Sequence, residues 1–95
     1  MAMAISLAEH TEQLHSEQRL LVKADQDIER GWQRVRDQEE RVRDLEAGGH
    51  DTRQAEHLVN LLKQTLVEWE RHRTLIEQHV IYLQQQVDPE PPASS

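Results

Sequence analysis

The chain has 95 residues, with 18 acidic against 11 basic side chains and a formal charge of -7. That balance disfavours general attraction to nucleic acid or an anionic membrane, since both draw affinity from a cationic footprint. With no cysteine there is no disulfide framework, thiolate nucleophile or zinc-thiolate site, and the length allows one small domain with little enclosed interior.

Residues 1-5 read as an N-terminal extension. Met1-Ala2-Met3-Ala4-Ile5 has neither the basic n-region nor the apolar h-region of a secretory signal, and no long apolar run follows. A cytoplasmic protein without a membrane partner is expected. Ser6 with Glu9 three residues on is a capping-box signature, and Ile5 is placed to act as its staple. Helix 1 is therefore predicted over 6-47. Leu7, Leu14, Leu21, Ile28, Val35 and Val42 mark its apolar seam at seven-residue spacing.

Gly48-Gly49 supplies the permissive backbone that ends a helix, which places the turn at about 48-50. Asp51 is the expected N-cap of helix 2, with Gln54 completing a weaker capping box. Helix 2 is predicted over 51-87, with Ala55, Leu62, Trp69, Ile76 and Leu83 as its seam. The proline-rich stretch 88-95 has nothing to bury and reads as a disordered tail.

The two seams mirror each other about the glycine pair. Folding back there sets Val42 against Ala55, Val35 against Leu62, Ile28 against Trp69, Leu21 against Ile76 and Leu14 against Leu83. One continuous helix would bear about 2 kcal/mol for the adjacent glycines. It would also lose phase, because the step from Val42 to Ala55 is one residue short of two heptads. The predicted fold is all-α, an antiparallel two-helix hairpin of coiled-coil type. The same layers form if helix 2 is swapped onto another chain.

Helix 2 carries a second line, Val59, Leu66, Val80 and Val87, interrupted by Arg73. The corresponding line of helix 1 is His10, Glu17, Ala24, Gly31, Gln38 and Leu45, which is far less apolar. Helix 2 thus has surplus hydrophobic surface, greatest at its distal end through Leu75, Ile76, Val80, Ile81, Tyr82 and Leu83, with Leu20 and Val22 at the matching height of helix 1. Association through that end is expected, most simply as a twofold homodimer forming a four-helix bundle. Leu61, Leu75, Ile81 and Tyr82 are the candidate interface residues. Gly31, costly in mid-helix, is read as making room for Trp69.

Arg30, Arg34, Arg36, Arg41 and Arg43 form a local basic cluster, but acids interleave with them. Asp37 to Arg41 and Glu39 to Arg43 have the favourable acid-first spacing for ion pairs along a solvated face. Six histidines raise the question of a metal. Glu12-x-x-His15 matches one element of a di-iron carboxylate bundle, yet at 100° per residue Glu12 points about 160° away from seam residue Leu14. His72 and His79 are about 10.5 Å apart along one helix, too far to share an ion. Their expected cross-helix neighbours are Asp25 and Gln18, and a carboxylate beside an imidazole would make assembly pH-sensitive. No metal, cofactor or catalytic residue is assigned, because no phosphate loop, nucleophile triad or pair of inward carboxylates occurs.

These features imply a non-catalytic helical-hairpin interaction module that self-associates and presents helix surfaces to a protein partner as a small adaptor, scaffold or regulator. The architecture is also similar to that of the Rop family, hairpin dimers that recognise paired RNA loops. The similarity lies in the architecture and includes no residue motif. It implies an alternative function as an RNA-binding regulator, in which the Arg30 to Arg43 cluster would meet the phosphates.

Overall fold

The computed structural model describes residues 6-88. The expected extension at 1-5, with its Ile5 staple, and the tail from residue 89 onward lie outside the described residues. Two helices, α1 (Leu7–Ala47) and α2 (Arg53–Val87), pack antiparallel as a hairpin, and no strand occurs among the described residues. At 1.5 Å rise per residue α1 alone is about 60 Å long.

The ends of the helices follow from local chemistry. Ser6 is the N-cap of α1, and its hydroxyl accepts the Glu9 N–H at 3.1 Å. At the other end Gly49 takes φ +71°. The His50 N–H then reaches Leu45 O at 2.8 Å and the Gly49 N–H reaches Glu46 O at 3.0 Å. Those two bonds make a Schellman motif, which satisfies carbonyls that the end of α1 would leave open. Of the glycine pair, only Gly49 uses the left-handed region; Gly48 is helical, at φ -86°.

The start of α2 differs from expectation. Thr52, not Asp51, is the N-cap, and its side chain makes no capping bond. Asp51 instead accepts the Arg53 N–H at 3.0 Å while gripping the Arg53 guanidinium at 2.7 Å. A short loop tightened by a two-residue side-chain bond moves the helix start later. The Arg53 guanidinium, followed by the backbone bond, holds the Asp51 carboxyl below its ordinary range.

The core lies along the seam in two clusters. Leu14, Ile76, Val80 and Leu83 are buried at the distal end, with Leu21, Ala24 and Val87 packed against them. Val35, Val59 and Leu66 are buried nearer the turn, with Ile28, Val42 and Leu62 around them. Leu14 and Leu83 thus share the distal cluster and Val35 and Leu62 the turn-proximal one, in keeping with the mirrored seams. Between the clusters the seam position of α2 is Arg73. Its guanidinium leaves the seam to bond Asp25 and, at 2.9 Å, Glu77. Both carboxylates raise its pKa further above the ordinary value, Asp25 more strongly.

Two expected seam members are exposed. Leu7 is 61 % exposed, because α2 ends at Val87 and offers nothing at that height. Trp69 is 39 % exposed. Leu66 takes the place beside Gly31 expected for the indole: a Cβ at residue 31 would stand 2.5 Å from Leu66 Cδ2 and 3.3 Å from Trp69 Cζ3. Near the turn the second line of α2, Val59 and Leu66, is therefore buried more deeply than Leu62 of the first.

Candidate interaction surface

Two packed helices have two flanks, and here they differ in chemistry. On one flank the edge of α1 meets the edge of α2 through polar pairs at successive heights. Lys63 Nζ lies 3.6 Å from Glu39 Oε2. The Trp32 indole N–H donates to Glu70 Oε1 at 3.1 Å. Farther along, Arg73 holds Asp25 and Glu77, two acids that would otherwise repel. Bonds between the helices occupy this flank from Glu39 toward the distal end, and nearer the turn a cavity of about 360 Å³ opens beside Val42, Arg43, Glu56 and Val59.

On the opposite flank His79 meets Glu17 toward the distal end, and the stretch between there and the turn is not closed in this way. A groove of about 310 Å³ opens there, lined by Leu20, Lys23, Ala24, Asp27, Trp69, His72 and Ile76. Its floor is apolar, and the ion pair of Lys23 with Asp27, 3.0 Å, stands at its rim. No covering side chain crosses from the other helix, since Ala24 is short and Trp69 leans over Gly31.

All four candidate interface residues are exposed: Leu61 45 %, Leu75 59 %, Ile81 51 % and Tyr82 53 %. Leu61, Leu75 and Tyr82 are separated by whole heptads and share one face of α2 on the side of the open groove. Ile81 precedes Tyr82 and so lies about 100° round the helix from it. It belongs with exposed Val67, two heptads earlier. The candidate set is thus divided between two faces. The His79 and Tyr82 rings stack with centroids 6.3 Å apart, as residues one turn apart on the same face. Leu58, 42 % exposed, extends the Leu61 face toward the turn. Its spacing of three from Leu61 is the sequence signal that places it with that face.

The charged candidates resolve differently from expectation. The arginine cluster is exposed, but the Asp37 to Arg41 and Glu39 to Arg43 pairs do not form. Asp37 accepts from Gln33 at 2.9 Å, and Glu39 is drawn across to Lys63. Arg36 donates to Gln33 at 2.9 Å. Among the described residues, Arg30, Arg34, Arg41 and Arg43 have no carboxylate within ion-pair distance. His72 does not meet Asp25, which Arg73 takes, and lines the groove instead. His79 meets Glu17 rather than Gln18, with Nδ1 3.5 Å from Oε2. Glu12 and His15 are both exposed on α1. Among the described residues no group of three or more potential ligands is arranged to hold a metal ion.

None of the described helices is long and apolar enough to cross a membrane. No protein-family model matches the chain, and neither the curated proteins nor the solved structures compared with it give a match.

Proposed function

We propose that the chain is a non-catalytic helical-hairpin interaction module. It self-associates, most simply as a twofold homodimer forming a four-helix bundle, and presents helix surfaces to a protein partner in the cytoplasm as a small adaptor, scaffold or regulator. One observation carries this reading: large apolar side chains exposed on the hairpin outnumber those in its core. Among the described residues seven hydrophobic ones are buried, whereas eleven large ones are exposed, and most of the exposed ones lie on α2. Apolar surface on that scale, arranged in rows, marks an interface in a water-soluble chain.

The test is solution mass. Sedimentation at about 100 µM chain should give a dimer or higher species, and Ile81→Glu with Tyr82→Lys should shift the mass toward monomer and lower the unfolding midpoint. A wild-type monomer at that concentration would overturn the self-association.

The exposed and unpaired Arg30, Arg34 and Arg41 favour a second reading, an RNA-binding hairpin dimer. Such binding would weaken steeply as salt rises, because each phosphate neutralised by an arginine releases counterions. An adaptor would retain no nucleic acid even at low ionic strength.

A further inference from the structure

Leu58, Leu61, Thr65, Glu68, His72, Leu75, His79 and Tyr82 run along α2 at alternating intervals of three and four residues, and every one of them is exposed. This is the spacing of a coiled-coil seam. It is a different seam from the one that meets α1, because that one uses Val59, Leu66, Ile76, Val80 and Leu83. The exposed row borders the open groove at His72, and its His79 also meets Glu17 of α1 at 3.5 Å. Between the heights of Lys63 and Arg73 the other flank is taken up by Lys63 with Glu39, Trp32 with Glu70, and Arg73 with its two acids.

We infer that the occupant of this row is the same row of a second copy, with the two α2 helices antiparallel about a twofold axis at the height of Glu70 and Glu68 facing His72 of the second copy. The inference rests on the self-association proposed above and names its surface and register. In an antiparallel coiled coil, positions of one seam line pair with positions of the other. An axis at Glu70 then sets Leu58 against Tyr82, Leu61 against His79, Thr65 against Leu75 and Glu68 against His72, each pair occurring twice by symmetry.

Charge complementarity together with use of the whole row selects that register. The row contains one carboxylate, and this arrangement puts it opposite an imidazole rather than against itself. Moving the axis half a heptad toward the turn sets Glu68 against Thr65, brings the two Glu68 carboxylates close to the axis together, and leaves Tyr82 without an apolar partner. Moving it half a heptad the other way sets Glu68 against His79, which already meets Glu17 of its own chain, puts Leu61 against Gln86 and leaves Leu58 past the end of α2. Only the axis at Glu70 uses all eight positions. Within its own helix Glu68 meets Arg71 at 3.3 Å. Both side chains are well exposed there, and a carboxylate accepts more than one partner.

The apolar ends of the row and its polar centre then have distinct roles. Leu58, Leu61, Leu75 and Tyr82 supply buried area, and the central Glu68 and His72 exclude the parallel pairing, which would place like groups together.

Cysteine crosslinking of the full chain reads this out directly. Positions 58 and 82 are about 36 Å apart along one helix, so no link within a chain is possible. Leu58→Cys with Tyr82→Cys in the same chain should oxidise to a covalent dimer, while either single variant should stay unlinked. A dimer from either single variant, or none from the double, would overturn the antiparallel register. Sedimentation of the unlinked protein separates that failure from failure of self-association, because a persisting wild-type dimer leaves the latter standing and a monomer removes both. In a second measurement, Glu68→Arg should weaken the dimer about tenfold, and adding His72→Asp should restore most of it. If the second substitution weakens it further, Glu68 and His72 do not face each other.

Discussion

Leu66 occupies the space that a side chain at Gly31 would need. A Cβ built on Gly31 falls 2.5 Å from Leu66 Cδ2 and 3.3 Å from its Cγ, and Leu66 is only 1 % exposed. The glycine is therefore a condition of close approach between α1 and α2 at the turn-proximal cluster. It offsets its poor helix propensity by allowing a large aliphatic side chain to sit across the seam.

Gly31→Ala should consequently destabilise the hairpin. The propensity gain is about 1 kcal/mol and the overpacking cost about 1 to 3 kcal/mol, since a buried leucine has few directions in which to move. Denaturant unfolding of Gly31→Ala, Leu66→Ala and the double variant should show strong favourable coupling, with the double more stable than additivity predicts. The same cycle with Trp69→Leu should show weaker coupling, because the Trp69 approach is longer and the indole has solvent to move into. Coupling larger at Trp69 than at Leu66 would contradict the packing described.

Arg73 divides the core. Arg73→Leu should join the two clusters into one seam and raise the unfolding midpoint by a few degrees, the burial gain of a leucine exceeding the worth of ion pairs at partly exposed positions. The response to salt should also change sign. In wild type salt screens the attraction of Arg73 for its two acids, whereas in the variant it screens the repulsion of Asp25 and Glu77, left without a cation between them. Thermal unfolding at low and high salt checks both. A midpoint below that of wild type would mean that the ion pairs outweigh seam continuity.

The Asp51 carboxyl is held below its ordinary range by Arg53. A depressed folded-state pKa contributes stability that is present above the unfolded value, about 3.9, and is lost as pH falls through the folded one. Wild type should therefore exceed Asp51→Asn in stability by a constant margin above about pH 5, and the margin should shrink on acidification below about pH 4. The position is fully open to solvent, so the margin is small. A margin that grows as pH falls would reverse the assignment.

Cysteines at Val35 and Leu62, and separately at Leu14 and Leu83, should form disulfides within one chain at high dilution. The first pair tests the turn-proximal cluster and the second the distal one. Links that form only between chains would show that α2 docks on α1 of a neighbour. Absence of any link at both positions would remove the antiparallel register.

Several features of the candidate surface are legible from residue spacing alone. Leu61, Leu75 and Tyr82 are exposed on one face because whole heptads separate them, and that relation belongs to a single helix. Hydrophobicity alone groups Ile81 with the same patch, yet a one-residue offset turns it to a different face. The histidine partners depart from the mirrored pairing for a related reason. Asp25 and His72 share a height in that register but lie on opposite flanks, where Asp25 bonds Arg73 and His72 lines the open groove.

Heptad periodicity, the Ser6 cap and the Gly48-Gly49 pair by themselves determined two helices, their approximate ends and the layers that meet across them. These are consequences of backbone preference and of a repeat that keeps one stripe inward. Only the tertiary structure decided that Leu66 rather than Trp69 fills the space over Gly31, that Arg73 splits the core, and that polar pairs bridge one flank at mid-length while the other opens there as a groove. Those outcomes depend on how far apart the helix axes lie and which flanking side chains span the gap at each height. Such distances arise between segments far apart in the chain, and no local pattern of residues encodes them.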